Sequence, residues 1–128
     1  MRDESINRQA FEREPTNLKR TVSIQNLSKT FNNFRSKKEA VKNLSFNLYE
    51  NQVTGIIGHN GAGKTTTTLM LCGLYPPTSG TANMLGFDLC YEIDKIHSIL
   101  GFCPQYDILY DSLTVEEHLM LIALVSGS

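Results

Sequence analysis

Gly58-His59-Asn60-Gly61-Ala62-Gly63-Lys64-Thr65 satisfies the pattern G-x-x-x-x-G-K-[ST] at every position. Before it comes Val53-Thr54-Gly55-Ile56-Ile57, a short, β-branched, apolar run that reads as a strand buried on both faces. After it the period turns helical, with Leu69, Cys72 and Gly73 on one side. Strand, glycine-rich turn and helix together form the setting in which such a loop cradles phosphate. Phosphate must approach bare main chain, which side chains at Gly58, Gly61 and Gly63 would obstruct. The N–H groups from Asn60 through Ala62 to Thr65 then face inward as an anion nest, and the helix adds its positive end. Lys64 brings a mobile ammonium to the β- and γ-phosphates, and the Thr65 hydroxyl is placed to ligate Mg²⁺. The glycines run G-x-x-G-x-G, not the G-x-G-x-x-G of a dinucleotide site.

Working outward, Val22, Ile24 and Asn26 alternate with Ser23, Gln25 and Leu27 as a strand with one apolar face. Residues 32–39 (NNFRSKKE) read as a loop, Val41 to Tyr49 as a second strand, and Glu50-Asn51 as a turn. Downstream, Gly73 is a helix stop and Pro76 to Gly80 a loop. Thr81 to Leu85 is then a short strand, Glu92 to Leu100 a helix, and Gly101-Phe102-Cys103 a brief strand. Thr114-Val115-Glu116-Glu117 spells a capping box that opens a helix through Leu119, Ile122, Ala123 and Val125. Residues 1–20 are polar and read as a disordered arm, with order beginning at Thr21.

The 128 residues suit one small domain, and the net charge of −1 lacks the basic footprint of a nucleic-acid binder. Charge is uneven: residues 1–64 carry +5 and residues 65–128 carry −6, read as a basic tail and a solvated acidic face. The longest apolar run, Leu119 to Val125, is too short to span a bilayer, and the charged N-terminus does not read as a secretory signal. Cys72, Cys90 and Cys103, odd in number and without a C-x-x-C pair, read as reduced structural thiols; a zinc site from them and His97 is conceivable but matches no usual ligand spacing. His97 and His118 read as surface or packing residues on helices. Asn-Lys-x-Asp and Asp-x-x-Gly, which a small GTPase needs, occur nowhere in the chain. A P-loop kinase remains a rival, although no arginine follows Arg35 to build a substrate lid.

LYENQVTGIIGHNGAGKTTTTLMLCGLYPPTSGTANMLGFDL, followed by LGFCPQYDILYDSLTVEEHL, resembles the nucleotide-binding domain of ABC transporters. GLYPPTSGTA and CPQYDILYDSLTVEEHL are most similar to the lipid-exporting A subfamily, and the resemblance covers about residues 21–122. It implies an α/β, P-loop NTPase (RecA-like) core with N-terminal antiparallel strands, here as an incomplete cassette. Residues 21–128 would then be the N-terminal half of an ATP-binding domain, through the Q-loop and the helix after it. By the same resemblance Phe31 stacks on adenine, with Phe34 a nearby competitor. Gly58, Asn60, Gly61, Ala62, Gly63 and Lys64 hold the phosphates of ATP, and Thr66 adds a phosphate contact. Thr65 ligates Mg²⁺. Gln105 matches the Q-loop glutamine, which touches Mg²⁺ or the attacking water; Lys64 and Gln105 are the catalytic candidates. The implied partners are a transmembrane domain and a second nucleotide-binding domain, on the cytosolic face of a membrane.

Family members continue into a signature, a Walker B aspartate, a catalytic glutamate and a switch histidine, none of which occurs in these 128 residues. Ile108-Leu109-Tyr110-Asp111 and Val125-Ser126-Gly127-Ser128 imitate two of these strings without matching them. The expectation is ATP binding with little or no turnover by this chain alone. The alternative is a truncated, non-catalytic fragment that binds nucleotide or a partner. Without the rest of the cassette, the strand at Val53–Ile57 is expected to lose neighbours.

Overall fold

A computed structural model describes residues 11–127; residues 1–10 of the expected arm, and Ser128, lie outside the described residues. Strand β1 (Arg20–Asn33) pairs with β2 (Ser36–Tyr49) and with β3 (Ser79–Met84), which pairs with β4 (Phe87–Asp88). The order is β2-β1-β3-β4 and every pairing is antiparallel. Helix α1 (Lys64–Leu71) follows the glycine-rich turn, α2 (Ile93–His97) follows β4, and α3 (Val115–Ser126) comes last.

The core of the sheet depends on two asparagines. A strict two-residue alternation would put Ile24 and Leu27 on opposite faces. Both are buried, because the ladder slips between them at Asn26, whose φ is +49°. On β2, Asn43 takes φ +45° between the core residue Val41 and the half-buried Leu44. Asparagine tolerates this left-handed region better than other non-glycine residues. Serine hydroxyls accept the N–H groups that the slip takes out of the ladder: Asn26 N–H donates to Ser45 Oγ and Asn43 N–H to Ser28 Oγ, both at 2.8 Å. Each kink switches the phase, so Ile24, Leu27 and Val41 share a core with Met70, Ala82, Met84, Leu89 and Ile96. The one apolar face expected at Val22, Ile24 and Asn26 thus passes to Leu27 at the bulge.

Residues 32–39 form a tight hairpin rather than a loop: Asn33 pairs Ser36 and Phe31 pairs Lys38, with Phe34-Arg35 as the turn. An exposed hairpin satisfies its own main chain, so polar side chains on both faces cost little there. The strand expected at Val53–Ile57 is absent: the segment is irregular, and Val53 and Ile57 are 103% and 98% exposed. A strand needs at least one hydrogen-bonded neighbour and a parallel one cover on both faces, and among the described residues no strand pairs with this segment. Gly101–Cys103 forms no strand for the same reason. The helix expected over Glu92–Leu100 shortens to Ile93–His97, with Ile96 fully buried.

Helix α3 begins where the sequence indicates. Glu117 N–H donates to the Thr114 hydroxyl and Thr114 N–H to the Glu117 carboxylate, yet no residue of the helix is buried. Among the described residues no helix is long and apolar enough to cross a membrane.

Residues 11–19 run irregularly past β2. Phe11 stacks on Phe46, Tyr49 Oη donates to Glu14 at 2.7 Å and Asn47 Nδ2 donates at 2.8 Å. The tyrosine hydroxyl, and then the asparagine amide, hold the Glu14 carboxyl below its ordinary range, while the same carboxylate raises Tyr49. A lowered carboxyl stabilises above its unfolded value and stops doing so as pH falls through the folded one; a raised phenol stabilises until pH climbs through its folded value. The clasp is therefore expected to hold between these limits and to open in acid and in strong alkali. Ultraviolet absorbance titration checks this: Glu14→Gln should bring the late-titrating tyrosine back toward the usual range, and Tyr49→Phe should remove it.

Candidate functional site

Helix α1 starts at Gly63, whose φ of +97° belongs to glycine. A Cβ there would press on the Ala40 carbonyl oxygen and lie 3.1 Å from Val41 Cγ2. The glycine-rich turn is thus seated directly on β2. Gly61, at φ +88°, makes the other left-handed step of the loop, in open space.

The loop surrounds a cavity of about 390 Å³. Its lining includes Asn60, Gly61 and Gly63 of the turn and Lys64, Thr65 and Thr66 of α1. Lys38 and Ala40 of β2, His59, and Gln105 on the later segment complete the lining. Among the described residues two lysines line it and no carboxylate does.

Lys64 folds back over the loop, its ammonium donating to the Gly58 carbonyl oxygen and to that of His59 at 3.4 Å. Ala62 N–H closes the loop on the His59 carbonyl at 3.1 Å, so that amide is engaged. Among the described residues, the N–H groups of Gly61, Gly63, Lys64, Thr65 and Thr66 meet no acceptor, and the first turn of α1 holds no acid. Those from Gly63 to Thr66 are the orphan donors that every helix start leaves, and Gly61 adds one from the turn.

The four threonines divide by task. Thr67 and Thr68 bond back to the Gly63 and Lys64 carbonyls at 2.8 and 3.0 Å. The hydroxyls of Thr65 and Thr66 have no partner among the described residues and stand at the cavity.

Phe31 sits beside this cavity rather than in it. It pairs across the hairpin with Lys38 and packs edge-on against Tyr75 with centroids 5.6 Å apart. Lys29 Nζ lies 5.3 Å from the Phe31 centroid and donates to the Pro76 carbonyl at 2.6 Å. Phe34, the competing aromatic, is fully exposed at the hairpin tip, away from the cavity lining.

The structure thus brings Asn60, Gly61, Gly63, Lys64, Thr65, Thr66 and Gln105 around one space, with Gly58 and Ala62 in the loop's own hydrogen bonds and Phe31 one strand away. Sequence reasoning missed Lys38 and Ala40, because the stretch NNFRSKKE reads as a loop until its strand pairing is known. His97 Nε2 lies 2.8 Å from the Cys72 carbonyl, a packing contact; among the described residues no group of three or more His, Cys, Asp or Glu gathers.

A cavity with free amides, two ammonium groups and no acid fits a polyphosphate anion. The Thr65 hydroxyl and the Gln105 amide are neutral oxygen donors of the kind Mg²⁺ accepts beside phosphate.

Comparison with known proteins agrees with this geometry. The family model described as "ABC transporter" matches residues 41–126. The chain is 46% identical over 125 residues to human "Phospholipid-transporting ATPase ABCA3", covering 98% of this chain and 7% of that protein. It is 54% identical over 109 residues to rat "ATP-binding cassette sub-family A member 2", covering 85% of this chain and 4% of that protein. It therefore spans a small part of the curated relatives it matches. Among solved structures, "Structure of ATP binding subunit of ABC transporter" superposes with a TM-score of 0.70 at 28% identity, over 84% of this chain and 43% of that one. A dimeric post-hydrolysis state of the ATP-binding cassette MJ0796 bound to ADP and Pi superposes at 0.71 with 27% identity, over 82% of this chain and 47% of that one.

Proposed function

The chain belongs to the ABC transporter family, and from that membership we propose that its loop at residues 58–65 binds the triphosphate of ATP. The fold is part of an α/β, P-loop (RecA-like) ATP-binding cassette with antiparallel strands on its N-terminal side. The single observation that carries the ATP reading is the acid-free cavity at the start of α1, with unpartnered amides and two lysines.

Each residue has a task in binding. Lys64 exchanges two neutral carbonyl acceptors for the β- and γ-phosphates, whose negative charge adds ion-pair attraction to the ammonium's hydrogen bonds. The free N–H groups of Gly61 and Gly63, and of Lys64 to Thr66, point donors at the same oxygens. Phe31 offers its ring to the adenine, one strand from the cavity. Thr65 Oγ1 and the Gln105 side-chain oxygen hold Mg²⁺, which when bound neutralises phosphate charge. Gln105 also orients the water that attacks.

Residues 21–128 act as the first half of an ATP-binding domain, behind an arm at 1–20. In the whole transporter this half works with a transmembrane domain and a second cassette on the cytosolic face of a membrane. The names of its relatives, a phospholipid-transporting ATPase among them, support lipid transport as the coupled process. Among the described residues no carboxylate lines the cavity to polarise water, and general-base assistance contributes about 10²–10⁴ in rate. This chain by itself therefore binds ATP and turns it over slowly.

Titration of the purified chain with labelled ATP and Mg²⁺, beside Lys64→Ala, tests the reading. The variant is expected to bind at least about tenfold more weakly, the scale of one charge-assisted bond. Equal binding removes the site. Robust phosphate release at dilute protein overturns the slow-turnover part.

A further inference from the structure

We propose that Lys38 on β2 is a second cationic contact for the bound nucleotide, reaching the α-phosphate between the glycine-rich turn and the base. The assignment rests on the ATP reading above and adds a residue to it.

Lys38 comes from β2 and lines the same cavity as the glycine-rich turn and Lys64. It is also the register partner of Phe31. Directly paired residues of an antiparallel ladder share a face, with Cβ atoms about 4.5–5.5 Å apart. In a nucleoside triphosphate whose terminal phosphates lie on the turn and whose base lies on Phe31, the α-phosphate is the anion in between. Lys38 stands there.

Its ammonium is uncommitted. Among the described residues the ion pairs are Lys42–Glu39 at 3.7 Å and Lys95–Glu92 at 2.8 Å, and Lys38 is in neither. Glu39, the adjacent acid, projects from the other face of β2 and is taken by Lys42. Lys37, paired with Asn32, lies on that other face too and does not line the cavity. The hairpin therefore carries a test residue and a control side by side, with the same charge and both exposed.

The experiment measures binding of ATP, ADP and pyrophosphate to the full chain as wild type, Lys38→Met and Lys37→Met at one ionic strength. Both substitutions sit at exposed strand positions and keep an unbranched stem, and circular dichroism confirms the fold of each. Lys38→Met is expected to weaken ATP and ADP by a similar factor, about fivefold for a partly screened charge. Pyrophosphate, which occupies the turn alone, should bind as before, and Lys37→Met should match wild type throughout. Unchanged ATP binding by Lys38→Met overturns the assignment. So does an equal loss for pyrophosphate, or an equal loss in Lys37→Met, since either means a diffuse field. A wild-type chain that binds none of the three ligands sinks the ATP reading as well. Loss in Lys64→Ala with an indifferent Lys38→Met sinks the Lys38 contact alone.

Discussion

Gly63→Ala is expected to unseat the phosphate loop and weaken ATP binding by about a hundredfold, an effect of roughly 3 kcal/mol. Two causes combine. A non-glycine residue at φ +97° carries strain of about 1–2 kcal/mol. The new Cβ also drives into the Ala40 carbonyl oxygen, which is main chain of a paired strand and cannot rotate aside as a side chain would. Either α1 withdraws from the sheet, opening the cavity, or β2 bends away from β1. Gly61→Ala separates the two causes, because Gly61 shares the left-handed geometry, at φ +88°, and has nothing near its absent Cβ. It should lose only the strain. Calorimetric titration with ATP, beside urea unfolding of each variant, reads both effects. Gly63→Ala binding as well as Gly61→Ala would refute the seating of the loop on β2.

Leu27→Ala is the second large effect. Leu27 is fully buried at the point where β1 meets Leu44 of β2. Leucine-to-alanine changes at such sites cost about 2–5 kcal/mol through lost transfer energy and the cavity left behind. Small domains have only about 5–15 kcal/mol in total. In this chain Val53, Ile57 and every apolar residue of α3 remain outside the core, so its reserve lies low in that range. The variant is expected to be substantially unfolded in buffer, with a lower urea midpoint by fluorescence or circular dichroism. Leu124→Ala, on the exposed side of α3, should stay within about 0.5 kcal/mol of wild type. If both leucines behave alike, the buried cluster is not what holds the fold.

What the sequence discloses, and what it hides, follow from the range of the interactions. The phosphate loop, the α1 start and the Thr114–Glu117 box were legible because each rests on contacts within a few residues: glycines that free the backbone, a hydroxyl three residues from its amide. The Gly73 stop is legible for the same reason and is found at φ +71°. Val53–Ile57 has the composition of a buried strand, but strand formation needs partners, and composition says nothing of whether they are near. Lys38 was hidden because its place depends on the register of a hairpin. The phase switch at Asn26 was hidden because nothing local distinguishes a kinking asparagine from an ordinary polar strand residue. Gln105 is recognised by its frame, LGFCPQYD, and proximity to the loop is a long-range fact only coordinates supply.

The paired asparagine kinks have a consequence for insertions and deletions. Because Asn26 and Asn43 each invert the inside–outside order of their strand, loss of a single residue near either one should turn Val22 and Ile24, or Phe46 and Leu48, toward water while the hairpin tip keeps its orientation. Trimming both strands together at the kinks would instead leave a shorter ladder with matched partners. Length changes here should therefore be tolerated in couples and not singly, a constraint that substitution scanning would never reveal.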